Sequence, residues 1–166
     1  MRILVTYATK HGATAEIAST IGEVLKEHDL SVDVLRIKQV DDLSLYSAVI
    51  VGSSIYFGDW RHEMVNFLKD NEKHLVKRDV WIFSSGPTGT KDDYELLAEW
   101  RFPLWLRPLL ERIQPHEAAV FYGNLDREKL NFLEKQLVRL NNTPFGDFRD
   151  WVEIKAWATT IANQLE

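Results

Sequence analysis

Short apolar segments alternate with segments of helical periodicity along the chain, and this alternation restricts the fold more than any other feature. Four segments are mostly apolar: "RILVTY" at 2–7, "SAVIVGS" at 47–53, "VWIFSS" at 80–85 and "EAAVFYG" at 117–123. A fifth, "SVDVLRI" at 31–37, alternates apolar and polar residues. Continuous apolar runs are typical of strands buried on both faces, and alternation is typical of a strand covered on one face. The sequence therefore predicts five strands, with the one at 31–37 on the outside.

Apolar residues recur at helical spacing between and after these strands. Helices are predicted at about 14–28, 62–75, 127–141 and 151–165. Asp150 is placed to cap the last helix, and Glu153 follows at the spacing of a capping box. Strands that alternate with helices of this length predict an α/β fold, in which a five-stranded parallel sheet lies between two helical layers.

Composition narrows the classes of function. The 166 residues suit one domain covering 1–166, with no linker and no internal repeat. The absence of cysteine excludes disulfides, iron–sulfur clusters and a thiol nucleophile. No metal-ligand spacing and no paired catalytic side chains occur, so we predict neither a metal site nor a catalytic acid or base. A net charge of −5 argues against nucleic acid as a partner.

The amino terminus, "MRILVTY", enters a strand pattern directly. No signal-peptide pattern precedes it, and no apolar run is long enough to be a transmembrane segment. We therefore expect a cytoplasmic protein.

Four loops follow the predicted carboxyl ends of the strands, after Tyr7, Gly52, Phe83 and Tyr122. All four are rich in small or hydroxyl-bearing residues. Ligands of open parallel sheets bind beyond the carboxyl ends of the strands, so we expect the functional site at this edge.

The first of these loops has the composition of a phosphate-binding turn. Thr9 and Thr14 offer hydroxyl donors, and Gly12 lets the backbone approach a ligand closely. The start of the following helix adds unpaired N–H groups and the positive end of its dipole. The dinucleotide and nucleoside-triphosphate loop patterns are both absent, which favours a single terminal phosphate. The alternative is an ordinary turn between a strand and a helix.

The stretch "YATKHGATAEIASTI" resembles the phosphate loop of the flavodoxins. The matching positions are Tyr7, Thr9, Gly12, Thr14, Ala18 and Ile21, and Thr6 departs from the family's apolar preference. The resemblance implies a flavodoxin-like sheet with strand order 2-1-3-4-5 and FMN as the cofactor. It also implies phosphate contacts from Thr9, His11, Gly12, Ala13 and Thr14. Because flavodoxin-like loops hold the phosphate without a countercharge, we expect Lys10 to extend into solvent.

The second loop, "GSSIYFGDWRHE", has the groups that a flavin ring needs. Aromatic faces come from Tyr56 and Trp60, and polar contacts to the ring edge from Ser53, Ser54 and Ile55. Gly58 can adopt backbone conformations barred to other residues. By the resemblance, the Phe57–Gly58 peptide turns over when the ring is reduced. The alternative is that the aromatic residues, Phe57 first among them, pack on the next helix.

The third loop, "SSGPTGT", follows the fourth strand at the corresponding place. It offers close backbone groups to the pyrimidine edge of the ring from Ser85, Gly86, Pro87, Thr88 and Gly89. Clusters of Gly and Pro mark turns of many kinds, so this prediction depends on the position of the loop beside the other two.

The segment "GSSIYFGDWRHEMVNFLK" and the layout of the last 50 or so residues resemble the menaquinone-dependent protoporphyrinogen oxidases, a family of flavodoxin-domain proteins. That resemblance implies an FMN-dependent oxidoreductase with a porphyrinogen substrate and a quinone acceptor. Two alternatives stay open: a flavodoxin-type electron carrier that serves a redox partner protein, and a flavin-free binding module on the same fold.

One apolar segment, "EWRFPLWLRPLLERI", has no counterpart in that resemblance. Its apolar residues are too many for one helical stripe, and Pro103 and Pro108 prevent a long regular helix. Residues 100–110 could form a surface for a quinone, a porphyrin, a membrane or a second subunit in a homodimer. The alternative is that they pack over the sheet as the fourth crossover helix.

Overall fold

The computed structural model describes residues 1–56, 58–86, 88 and 101–166. Five strands form a parallel sheet: β1 (Arg2–Ala8), β2 (Ser31–Arg36), β3 (Ala48–Tyr56), β5 (Asp79–Ser85) and β6 (Glu117–Phe121). Their order across the sheet is β2-β1-β3-β5-β6. This confirms the predicted order 2-1-3-4-5, because β4 (Asp59–Trp60) only extends the end of β3 as an antiparallel partner.

The described part of the chain has the α-helices α1 (Ala13–Glu27), α2 (His62–Asp70), α3 (Glu72–Leu75), α4 (Arg107–Ile113), α5 (Phe132–Leu140) and α6 (Trp151–Leu165). A second, two-stranded antiparallel sheet, β7 (Asn124–Leu125) with β8 (Gly146–Asp147), flanks α5 in the chain. The helix predicted at 127–141 is shorter than expected. Its first residues form a separate 3-10 turn (Arg127–Lys129) that ends at Leu130. Asn131 then caps α5, because its side chain accepts a hydrogen bond from the Glu134 N–H.

Apolar side chains fill both faces of the main sheet, which gives the predicted three layers. On one face α1 and α6 pack against β1, β3 and β5, where Phe83, Phe121 and Trp157 form a cluster of aromatic rings. On the other face α2, α3 and α4 pack over Val49, Val51 and Ile82. With both faces covered, the carboxyl edge of the sheet is the part left for a ligand.

Segment 100–110 is partly buried and partly exposed, so each interpretation of the sequence applies to some of its residues. Leu106, Leu109 and Leu110 are buried in the core under α4, as the crossover-helix alternative predicts. Leu104 and Trp105, in the 3-10 turn before α4, are exposed. Trp100 lies outside the described residues.

Candidate functional site

The first loop turns sharply between β1 and α1. Gly12 has a left-handed backbone (φ +96°), and its N–H donates to the Thr9 Oγ1 at 3.0 Å. A Cβ placed on Gly12 would have no atom within 4 Å from any residue beyond its two chain neighbours. No side-chain hydrogen bond caps the start of α1 at this residue. The loop thus has open space in front of a helix amino terminus, an arrangement suited to a small anion.

Two buried hydroxyls join this loop to the end of β5. The Oγ1 of Thr14 lies 2.7 Å from the Oγ of Ser85. One strand residue earlier, Ser84 accepts a hydrogen bond from the Trp60 indole N–H at 2.9 Å and donates to the Arg101 carbonyl. The sequence-predicted residues Thr14 and Ser85 are therefore in direct contact.

A buried cation lies behind the first turn of α1. The Arg149 guanidinium is 2.7 Å from Glu16, 2.6 Å from Asp147 and 3.4 Å from the Ala13 carbonyl. Hydrogen bonds from this guanidinium lower the pKa of Asp147. The contacts fix the start of α1 to the segment that leads into α6.

The second loop is a β-hairpin at the end of β3. Ile55 pairs with Trp60 and Tyr56 with Asp59, and Gly58 in the turn has a left-handed backbone (φ +81°). The Ser53 hydroxyl accepts from the Arg61 N–H at 3.0 Å and donates to the Ser54 carbonyl at 3.1 Å. Phe57, and with it the predicted Phe57–Gly58 peptide flip, lies outside the described residues.

The hydroxyl of Ser54, at the carboxyl edge of the sheet, lacks a hydrogen-bond partner among the described residues. Its Oγ is buried and has no hydrogen-bond partner within the described part of the chain. Buried hydroxyls normally have a partner, and an unpaired one calls for an explanation. A bound ligand at the carboxyl edge would supply that partner.

Tyr56 and Trp60 occupy different environments. Trp60 is only 2% exposed and packs in the core beside Met64. Its indole N–H is held by Ser84. Tyr56 is half-buried and lies with the loop residues. Tyr56 therefore lies at the site, whereas the ring of Trp60 lies in the core.

The third loop begins against the second. The Gly86 N–H donates to the Phe121 carbonyl at 3.3 Å. A Cβ on Gly86 would lie 2.9 Å from the Ile55 carbonyl oxygen, and a Cβ on Gly123 would lie 2.9 Å from the Gly86 Cα. Glycine is therefore required for the second, third and fourth loops to approach this closely. Thr88 is half-buried, whereas Pro87 and Gly89 lie outside the described residues.

A carboxylate from α5 reaches the first two loops, a contact that the sequence did not reveal. The Glu134 Oε1 is 2.5 Å from the Lys10 ammonium, 3.2 Å from the His11 Nε2 and 2.5 Å from the Tyr56 hydroxyl, which donates to it. The other oxygen accepts from the Asn131 N–H at 2.8 Å. Glu134 therefore connects α5 to the first loop and to the hairpin.

The same contacts determine the charge of Glu134. Burial raises the pKa of the carboxyl, but hydrogen bonds from Lys10, Tyr56 and the Asn131 N–H outweigh it and lower that pKa to about 2. Hydrogen bonds to Glu134 and Tyr56 raise the pKa of Lys10.

Lys10 does not extend freely into solvent, contrary to our expectation. Its ammonium lies 2.7 Å from the Tyr56 hydroxyl and 4.0 Å from the centre of the Tyr56 ring. The spacing of Asn131 and Glu134 fits a capping box and could have placed Glu134 in the first turn of α5. Its approach to Lys10 depends on how α5 packs, which that spacing does not encode.

The segment before α4 touches the hairpin from its other side. The Trp105 indole N–H donates to Asp59 at 3.1 Å, and the Lys69 ammonium lies 5.8 Å from the centre of the Trp105 ring. Within the described residues, no group of three or more acidic or histidine side chains could hold a metal ion.

Comparison with known proteins identifies the family to which the chain belongs. A model of the flavodoxin domain matches residues 4–150. The chain belongs to the flavodoxin domain family. Its order of strands and its cluster of loops at the carboxyl edge agree with that membership.

Relatives and solved structures agree with this assignment. The chain is 24% identical to the protoporphyrinogen IX dehydrogenase [quinone] of Escherichia coli K12, over 98% of this chain and 96% of that protein. It is 25% identical to the protein of the same name from Leishmania major, over 97% of this chain and 74% of that one. A flavodoxin from the domain Archaea superposes with a TM-score of 0.65 at 16% identity, and both chains are covered to 99%. Oxidised flavodoxin 1 from Bacillus cereus gives 0.62 at 15% identity, with both chains fully covered.

Family membership fixes the general class of chemistry. The flavodoxin domain supports a flavin cofactor and a redox function for this chain. The flavodoxin structures show that the fold is shared. Among the described residues, no helix is long and apolar enough to cross a membrane.

Proposed function

We propose that FMN binds at the carboxyl edge of the sheet, with its phosphate in the first loop. The observation that carries this proposal is the open space in front of Gly12, which borders the uncapped start of α1. The unpaired Ser54 hydroxyl supports it independently, because that donor would gain a partner when a polar ligand binds.

Each loop has a separate role in this proposal. Thr9, His11, Gly12, Ala13 and Thr14 would contact the phosphate through backbone N–H groups and hydroxyls. Ser53, Ser54, Ile55, Gly58, Ser85 and Gly86, with the third-loop residues Pro87, Thr88 and Gly89, would hold the polar edge of the ring. Among the described residues of the hairpin, Tyr56 is the aromatic side chain that would cover a ring face, whereas Trp60 would support the hairpin from the core through its hydrogen bond to Ser84.

Bound FMN would supply the electron-transfer or hydride-transfer chemistry. The chain's own contribution is to bind and orient the ring and to set the charge around it. Lys10, His11 and Glu134 are the charged or titratable groups closest to Tyr56 in the described hydrogen-bond network. No side chain needs to act as a general acid or base in this account.

We further propose that the protein oxidises a porphyrinogen and passes the hydrogen atoms to a quinone, which becomes the quinol. The names of both curated relatives support this substrate and this acceptor, over nearly the whole length of the chain. Leu104 and Trp105 are exposed, and Trp105 contacts Asp59 of the hairpin, so they give an apolar surface next to the second loop.

Anaerobic oxidation of protoporphyrinogen tests this activity. The FMN-loaded protein should produce the fluorescent porphyrin when a menaquinone analogue is present, and the quinone should be consumed in step. Oxidation of a porphyrinogen to the porphyrin releases six hydrogen atoms, and each flavin or quinone accepts two. Omitting the quinone should therefore limit the product to at most one porphyrin for every three flavins present, because no other acceptor is supplied. The flavin-free protein and a conventional flavodoxin are the controls.

A flavin that is reduced and reoxidised by partner proteins, with no porphyrin formed above the controls, would contradict the oxidase assignment. That result would favour an electron carrier on the same site. FMN binding itself is measured separately, so the two parts of the proposal can fail independently.

A further inference from the structure

Helix α5 buries a charged residue beside the candidate site. Of its nine residues the buried one is Glu134, whereas the apolar residues Phe132, Leu133 and Leu140 are exposed. Glutamate is almost never fully buried unless it is paired, because an unpaired charge is costly to remove from water. The first two loops supply the partners of this carboxylate. The position of Glu134 is therefore tied to the site.

An ion pair lies at the end of the Tyr56 side chain. The Lys10 ammonium is 2.5 Å from the Glu134 Oε1. The Tyr56 hydroxyl is 2.7 Å from that ammonium and 2.5 Å from the same carboxylate oxygen. The Glu134 side chain is only 7% exposed and that of Lys10 is 33% exposed. Solvent therefore screens this pair less than it screens charges that are fully at the surface.

Both charges lie close to any ligand that contacts the Tyr56 ring. The Lys10 ammonium is 4.0 Å from the centre of that ring, and the Glu134 carboxylate binds the hydroxyl at its end. A ligand in van der Waals contact with the ring is therefore on the order of 10 Å or less from both charges, about one Debye length at physiological salt. At this distance each charge affects the free energy of a charged ligand.

The reduced form of a flavin is affected by such charges more than the oxidised form. A flavin ring that takes up two electrons and one proton gains one negative charge. A nearby cation therefore favours the reduced form and raises the midpoint potential, whereas a nearby anion lowers it. Lys10 and Glu134 carry opposite charges side by side, so their effects on the potential oppose each other.

We propose that the Lys10–Glu134 ion pair sets the midpoint potential of the bound flavin. Glu134 offsets the positive charge that the first loop brings to Tyr56, and so prevents Lys10 from stabilising the reduced flavin. This inference rests on the proposed function, in which FMN binds at the carboxyl edge and Tyr56 covers its ring. It adds a residue of α5 to a site otherwise formed by the first three loops.

The midpoint potentials of four FMN-loaded proteins test the proposal: the wild type, Glu134→Gln, Lys10→Met and the double variant. Glu134→Gln leaves the ammonium unpaired and should raise the potential. The ratio of the affinities for reduced and oxidised FMN should change by about tenfold, which is about 30 mV for a two-electron couple. Lys10→Met should lower the potential, by less, because the ammonium is the more exposed partner. The double variant should lie between the two single variants, because it removes one charge of each sign.

Gradual reduction beside a reference dye gives each potential. Measurement at about pH 8 keeps imidazole groups neutral, which matters because the His11 Nε2 is 3.2 Å from the same carboxylate oxygen. Asp59 and Arg61, the other charged residues of the hairpin, are present in every variant, so the comparison isolates the ion pair. Circular dichroism and FMN titration check that each variant is folded and binds flavin.

Glu128→Gln and Lys129→Met are the matched controls. They make the same two changes of charge in the 3-10 turn before α5, where both side chains are exposed. Solvent screens charges at such positions. Both control variants should therefore keep the potential of the wild type.

The direction of the shifts separates this proposal from a purely structural role of the pair. A structural role predicts that both single variants loosen the site and move the potential in the same direction, with the double variant shifted furthest. That result, or unchanged potentials in both single variants, would overturn the proposal. If Glu134→Gln is too unstable to load with FMN, Lys10→Met alone decides, because a potential equal to or above that of the wild type contradicts the proposal.

Failure of the proposed function has a different signature. It appears in the FMN titration of the wild type, before any potential is measured. A folded wild-type chain that binds no FMN would overturn the proposed function, and this inference with it.

Discussion

Gly12→Ala should reduce the affinity for FMN by about a hundredfold or more while leaving the flavin-free protein folded. The added methyl group would enter the space in front of α1 that we assign to the phosphate, where no residue beyond the two chain neighbours of Gly12 has an atom within 4 Å. In the flavin-free protein it has nothing to clash with. The cost there comes from the left-handed backbone at φ +96° and should be about 1–2 kcal/mol. Fluorescence titration of FMN and thermal unfolding measure the two effects separately.

Gly146→Ala controls for backbone strain in this comparison. Gly146 also has a positive φ, +143°, but it lies in β8, and a Cβ there would be 3.4 Å from the Phe148 ring. This variant should lose a similar amount of stability and keep its affinity for FMN. If Gly12→Ala binds FMN as tightly as the wild type, the phosphate does not lie in the first loop.

Glu134→Gln should lower the free energy of unfolding at neutral pH by about 3 kcal/mol, because it removes a carboxylate whose folded-state pKa of about 2 is well below the ordinary value for glutamate. The sign follows from that depression of the pKa. The unfolded chain binds the proton more readily, so the carboxylate stabilises the fold at pH values above about 4.5. This stabilisation is lost as the pH falls toward about 2.

Denaturant unfolding between about pH 7 and pH 2 measures this contribution. The gap between wild type and Glu134→Gln should be largest at neutral pH and close toward pH 2. Glu128→Gln makes the same change at an exposed position near α5 and should leave the curve nearly unchanged. A gap that stays constant with pH would mean that the charge of Glu134 does not contribute to stability in the way its contacts indicate.

Most of the fold could be predicted from the sequence because the strands have clear local signals. Each parallel strand is a nearly continuous apolar run or a regular alternation, and the order of strands and helices leaves few topologies. The limits of α6 were predicted correctly, since Asp150 caps the helix through the N–H groups of Val152 and Glu153. Helix boundaries that are set by local capping residues can be predicted from the sequence. The start of α5 follows the same rule, because Asn131 caps it, although apolar spacing alone placed that start at about residue 127.

The environments of side chains within the site were harder to predict from the sequence than the fold. Trp60 and Tyr56 lie in one short loop, and composition alone cannot tell which of them is turned into the core. The hairpin pairing of Ile55 with Trp60 decides it, because that register directs the indole toward Ser84. The approach of Glu134 to Lys10 joins residues more than a hundred positions apart, and it depends on the packing of α5 against the loops.

The exposed face of α5 could not be recognised from its sequence either. An amphipathic pattern shows that the apolar residues share one side of a helix, but it does not show whether that side points inward. The conventional assumption places the apolar side in the core. Here the buried residue is Glu134, because its carboxylate finds Lys10, Tyr56 and the Asn131 N–H as partners.

Parallel titrations of the wild-type chain with FMN and with riboflavin test the central claim most directly, because the two ligands differ only in the terminal phosphate. A phosphate held by the first loop predicts strong quenching of FMN fluorescence that saturates, with an affinity at least about a hundredfold higher than that for riboflavin. Equal affinities for the two ligands, or no quenching by the folded protein, would contradict the assignment of the carboxyl edge as an FMN site.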